Sequence, residues 1–245
     1  MTDVDQTTTD ARHRLGMSER TQAFVLLLFG GALVRLGLSD QLVRYVRPVA
    51  RPWVLLAGIA LFALAVLRLL LAHRVTRTRS DQAGAIGTGW LVLAPVVAIL
   101  IIAPPALGSY SAARAVPVRV SAGTAKSFPA LTGASPHQLG LLDFTTRVVW
   151  DGGRTLTGQD VSLTGFVLSQ RPDGFVLARL VITCCAADAA PVEIEVRTDH
   201  PPATGAWVTV VGRYAGVDPQ RPTFPVLTAR STIAVSEPTN PYDSG

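Results

Sequence analysis

The feature that most restricts this chain is the run Pro52 to Ala72, in which Arg68 is the only charged residue. As a helix rising ~1.5 Å per residue, it reaches across a hydrocarbon core of ~30 Å. Inside lipid a single segment satisfies its backbone polar groups only as a helix. Pro52 stands where a helix start does not need its missing N–H, and Trp53 lies at interface depth. Two further apolar runs flank this one. Thr21 to Leu38 is interrupted by Thr21, Gln22 and Arg35, and Thr88 to Leu107 carries Trp90 at its mouth, Pro95 inside and Pro104-Pro105 at its end. The sequence therefore predicts three transmembrane helices, 21–38, 52–72 and 88–107, in a membrane domain over 21–108. The first is read as a retained helix rather than a signal peptide, because no small-x-small cleavage pattern follows it. Arg35 and Arg68 near helix ends snorkel to the headgroups, with a polar contact to a partner as the other use of Arg35.

Charge is divided along the chain. Residues 1–149 hold 15 Lys+Arg and 7 Asp+Glu, a net +8, whereas residues 150–245 hold 7 and 10, a net −3. The overall +5 thus belongs to segments flanking apolar runs, as in a membrane protein, and not to a nucleic-acid groove. Met1 to Arg20 is polar and reads as a disordered tail. Basic residues divide evenly across the expected loops, and Arg68 tips the balance towards a cell-membrane protein with a cytoplasmic N-terminus and an extracytoplasmic C-terminal domain.

Residues 109–150 begin with an Ala/Ser/Gly/Pro-rich linker and end in a short helix, with Ser135 as its cap, Pro136 at its first position and Leu139, Leu142 and Val149 near one face. Residues 151–245 turn to β patterning, with candidate strands Asp160–Ser169, Gly174–Thr183, Val192–Arg197, Ala206–Tyr214 and Phe224–Val235. Arg171-Pro-Asp-Gly174 has the chemistry of a tight hairpin turn. Five strands without room for helical crossovers make a small antiparallel unit. Gly165 and Gly212 inside strands supply the bends with which an OB-like barrel closes, and an open sandwich is the alternative. The whole is an α + β membrane protein: three transmembrane helices, then an OB-like antiparallel β-barrel.

Between the second and third strands lies Val181-Ile-Thr-Cys-Cys-Ala-Ala-Asp-Ala-Ala-Pro191, with both cysteines of the chain. Neighbours in a regular strand face opposite ways, so Cys184 and Cys185 share a ligand only if the backbone leaves strand geometry there. Three readings stay open. One thiol packs in the barrel while Asp188 caps the turn. Alternatively, the thiolates bind Zn²⁺ or Cu(I) with help from Asp188, His200 or a second chain. In the third reading the pair is a labile redox couple, although its spacing is not that of Cys-x-x-Cys. His13 and His137 read as solvent-facing, Asp151-Gly-Gly153 as a turn, and Trp207 as core or rim.

Several segments together resemble a family of bacterial membrane proteins, the YcgQ type. They are Pro104-Pro105-Ala-Leu-Gly-Ser-Tyr-Ser-Ala-Ala113, Val161-Ser-Leu-Thr-Gly-Phe-Val167, Leu180 to Pro191 with its Cys-Cys-Ala-Ala-Asp-Ala string, Trp207-Val-Thr-Val-Val-Gly212 and Pro238-Thr-Asn-Pro-Tyr242. The resemblance implies a helical membrane N-terminus, a C-terminal β domain, a predicted permease as partner and a link to metal homeostasis. Some members carry extra Cys or His before the third span; this loop offers only His73. The expected function is a membrane-anchored accessory subunit of a permease, without enzymatic activity and with metal ligands Cys184, Cys185, Asp188 and His200. A membrane-bound thiol oxidoreductase, or an interaction protein without metal, is the alternative. The expected partners are the permease, the lipid bilayer and a second copy of the chain, with no nucleic acid.

Overall fold

The computed structural model describes residues 19–75, 107–121 and 128–243. They fall into two compact units: residues up to 42 with those from 49 to 75, and residues 43–48 with everything described from 107 onward.

The first unit is a helix pair, α1 (Glu19–Leu38) and α2 (Arg51–Val75). Their backbones meet at glycines. A Cβ on Gly30 would lie 2.7 Å from Phe62 N, and one on Gly58 2.9 Å from Val34 N, so neither position has room for a side chain. Small residues at such a crossing allow the approach that helix pairs in lipid use. The Arg51 guanidinium ties the start of α2 to the end of α1, donating from Nε to Gly37 O at 2.9 Å. Elsewhere α2 points large apolar side chains outward, Trp53, Leu56 and Leu70 among them.

Among the described residues only Pro48–Leu71, with a mean hydropathy of 2.7, is long and apolar enough to cross a membrane. This corrects the expectation of three transmembrane helices. The first expected span is a helix, but its apolar part, Gln22–Leu38, is too short. At ~1.5 Å per residue it falls below the ~30 Å of a hydrocarbon core. Residues 88–106 of the expected third span lie outside the described residues, as does the tail 1–18 with His13.

The second unit is a closed β-barrel. Its strands are β1 (His137–Leu139), β2 (Asp160–Arg171), β3 (Gly174–Val181), β4 (Ala190–Arg197), β5 (Trp207–Asp218) and β6 (Arg221–Ala234). The order is β1-β2-β3-β4-β6-β5, and β5 pairs back with β2. That last pairing closes β2 to β6 into a five-stranded barrel and rules out the open sandwich. All barrel pairings are antiparallel except the short one between β4 and β6, where Glu195 to Arg197 lie beside Val226 to Thr228. The expected hairpin forms at Pro172-Asp173, with Arg171 paired to Gly174. Asp218 pairs with Arg221 across a second two-residue turn, and its Oδ1 accepts from Gln220 N at 2.9 Å.

Gly165 behaves as the pattern predicts. A Cβ there would meet Ala178 O at 2.5 Å, so β2 can fold across β3 only without a side chain at this point. The ladder between β5 and β6 slips at Val211/Gly212, the other expected bend. Inward residues of all five strands, such as Leu163, Phe175, Ile194, Val210 and Leu227, are fully buried in one core.

The helix before the barrel differs from its expected form. Residues 137–139 are a strand, β1, parallel to β2 at Val161 to Leu163. The main helix, α4 (Leu141–Asp151), follows the four-residue turn α3 (Ser109–Ala112) in the described chain and starts after Gly140, not at Ser135. Its buried face is Leu141, Phe144 and Val148 rather than Leu139, Leu142 and Val149. The reason is a remote cap: Leu142 N donates to Asp243 Oδ2 at 3.0 Å, from the far end of the barrel unit's chain. The expected turn at Asp151-Gly-Gly153 ends this helix, with Gly152 in the left-handed conformation at φ 69°.

Candidate functional site

β3 ends at Val181, before the cysteines, and a named strand resumes only at Ala190. A one-turn 3-10 helix, Ala186–Asp188, makes the bend. Asp188 holds it together. Its Oδ1 accepts from Thr183 N at 2.9 Å and its Oδ2 from Cys184 N at 2.8 Å. A short carboxylate closing a turn on backbone N–H groups is the ordinary reason for an aspartate at such a position. Further along, Asp188 N donates to Cys185 O at 3.1 Å.

This local path turns both thiols to the same side. Cys184 Sγ and Cys185 Sγ are 3.7 Å apart, and with a carboxylate oxygen of Asp188 the donor atoms all lie within 4.8 Å of one another. Two sulfurs bound to one tetrahedral Zn²⁺ at ~2.3 Å each stand ~3.8 Å apart, so the thiols are spaced as that ion requires. Cys184 is exposed and Cys185 half-buried, and neither is bonded to the other. Of the reading in which one thiol packs and Asp188 caps the turn, the cap is present, and neither cysteine is fully buried. The Asp188 carboxylate, hydrogen-bonded to the Cys184 thiol, and the neighbouring sulfur push that thiol's pKa up to about 11. The same contacts, with the backbone N–H groups, hold Asp188 below the usual carboxylate range.

His200 is not brought to the bend: the three donors that converge are Cys184, Cys185 and Asp188. β4, Ala190–Arg197, carries the chain away from the cysteines before His200 is reached. At ~3.3 Å per residue, the seven steps from Ala190 to Arg197 separate its ends by ~23 Å. His200 sits exposed in the next turn, where its N–H donates to Thr198 Oγ1 at 3.3 Å.

Three features around the bend escaped the sequence reading. The segment Tyr45 to Arg47 runs antiparallel to it: Arg47 N donates to Cys184 O at 3.2 Å, Ala186 N to Tyr45 O at 2.7 Å, and Val46 bridges Cys185. Tyr242, only 2% exposed, donates its phenol to Arg44 O at 2.7 Å and bridges Leu180. Its burial pushes the phenol's pKa above the usual tyrosine value. Arg179 fastens the same tail, donating to Asn240 O at 2.9 Å and Pro241 O at 3.3 Å. Beneath the bend, Ala112, Phe166, Leu180 and Tyr242 form a second apolar cluster with Ala186 and Trp207 against it. Trp207 meets Phe166 edge to face at 5.4 Å, so it is a packing residue, as its apolar neighbours imply. The five segments that carry the resemblance each send a residue into this cluster. The signal was present in their co-occurrence, but only the fold shows that they meet.

No curated protein and no solved structure matches the chain. Residues 149–243, the last turn of α4 and the whole barrel, match the family model described as the DUF1980 C-terminal domain.

Proposed function

We propose that this chain is a membrane-anchored accessory subunit of a permease, of the YcgQ type, whose OB-like barrel binds a thiophilic metal ion at Cys184, Cys185 and Asp188. The observation that carries the reading is the convergence of two thiols and a carboxylate, within 4.8 Å, on one exposed bend. Three protein donors leave one tetrahedral position open, the arrangement of a site that exchanges its ion or a ligand and not of a closed structural centre. Zn²⁺ fits the sulfur spacing, and Cu(I) the softness of the donors. Helix α2 supplies the anchor, and the barrel stands on the extracytoplasmic side. A binding role, with no chemical step, is the reading that this donor set supports best. A thiol oxidoreductase is the weaker reading, since adjacent cysteines lack the two-residue spacing of the usual Cys-x-x-Cys redox motif.

The test is titration of the detergent-purified, reduced full chain with Zn²⁺ and with Cu(I). Binding of one equivalent is expected, with release of thiol protons, since the ligands must deprotonate to bind. Cys184→Ser and Cys185→Ser each abolish it, and Asp188→Ala weakens it. Uptake of neither ion by the reduced protein sinks the metal reading.

A further inference from the structure

The backbone of the bend has no slack. Thr183 N and Cys184 N are held by Asp188, Cys185 O by Asp188 N, Cys184 O by Arg47 N, and Ala186 N by Tyr45 O. The two cysteines are thus flanked by the two hydrogen bonds that tie the bend to Tyr45–Arg47. This strap is in turn the covalent link between α1 and α2, since it lies between Leu38 and Arg51. It packs with the barrel unit, where Val43–Pro48 belongs. A further hold on the barrel is the Tyr242 phenol on Arg44 O. An isolated bridge of two hydrogen bonds opens far more readily than a barrel strand.

We infer that the thiol bend and the Tyr45–Arg47 strap form one coupled element, in which an ion on the thiols stabilises the closed strap against opening. The inference rests on the metal reading and names the regulation of that same site. An ion that binds both sulfurs and Asp188 fixes the positions of Cys184 O and Ala186 N, the two atoms that grip the strap. By reciprocity, a closed strap tightens ion binding by the same factor. The chain between α1 and α2 then carries the state of the thiol site in how firmly its Tyr45–Arg47 part is held.

The experiment is amide hydrogen exchange on the full chain in detergent, with Zn²⁺ alone as probe. On loading, the Arg47 and Ala186 amides are expected to slow about fivefold or more, within the usual range of coupled sites, while Val210 in β5 stays unchanged. Zn²⁺ uptake without slowing at Arg47 and Ala186 overturns the coupling and leaves the metal site standing. A second arm needs no metal and decides the matter if Zn²⁺ does not bind. N-ethylmaleimide should label Cys184 and Cys185 about fivefold faster or more in Tyr242→Phe, which loosens the strap at Arg44 yet keeps the buried ring, and in Arg47→Pro, which lacks the donor to Cys184 O. Unchanged labelling rates in Tyr242→Phe, with barrel exchange intact, overturn the inference independently of any ion.

Discussion

Glu193 is a carboxyl held against its preference. It is half-buried on β4, at the edge of a concavity of about 420 Å³ that also holds Arg119, Arg221 and Phe224. Burial raises its pKa, and Arg221 and Arg171 offset this only in part. A carboxyl with a raised folded-state pKa contributes stability that is fully present below its unfolded value and is lost as pH rises through the folded one. Glu193→Gln removes that loss. The variant is expected to melt above the parent protein at neutral pH, and the gap should close as pH falls below the ordinary carboxylate range. A lower melting temperature at neutral pH would mean that the two arginines outweigh burial. Residues of this kind cannot be read from sequence, because what shifts Glu193 is its surroundings. Cys184, Cys185 and Asp188 are the opposite case. Their geometry is set within one short bend, and so their closeness could be expected from the sequence alone.

At the scale of elements, legibility followed the range of the interaction. Strand cores were visible in their alternation, and Gly165 and Gly212 announced the bends of a barrel. Strand ends were less visible: β2 runs to Arg171 and β5 to Asp218, because hairpin pairing extends them beyond the apolar pattern. His137–Leu139 was read as part of a helix start, whereas pairing with Val161 to Leu163 makes it a strand. His200 was read as a neighbour of the cysteines because few residues intervene, but an extended strand turns few residues into a long distance. Helix α4 has its cap at Asp243, a partner that no local pattern could name. Asp243→Ala is therefore expected to cost about 0.5–2 kcal/mol, the range for losing a helix cap, measured as a lower urea midpoint with an unchanged slope. An unchanged midpoint would show that the cap is dispensable.

At the scale of the whole molecule, the outward apolar face of α2 and the barrel ask for different surroundings. Trp53 is 71% exposed and Leu70 57%, whereas most of the barrel's large apolar residues, Ile233 excepted, are inside. The full chain is expected to need detergent to stay dispersed; a monodisperse preparation in plain buffer would remove the membrane anchor. Cys184 is exposed, so a membrane-impermeant maleimide applied to intact cells is expected to label it if the barrel faces outward. Labelling only after lysis would reverse the orientation. The long apolar helix α2 was legible because composition alone defines it. The expected count of spans was not, because Arg35 and Gln22 leave the first apolar helix short of a hydrocarbon core.

The three donors of the bend lie within five residues of one another, Cys184 to Asp188. Such neighbours stay close even in a denatured chain, which therefore keeps part of its hold on an ion. A ligand that binds both states protects the native one less than its affinity suggests. Loading this bend should consequently raise the melting temperature little, however tightly the ion is held.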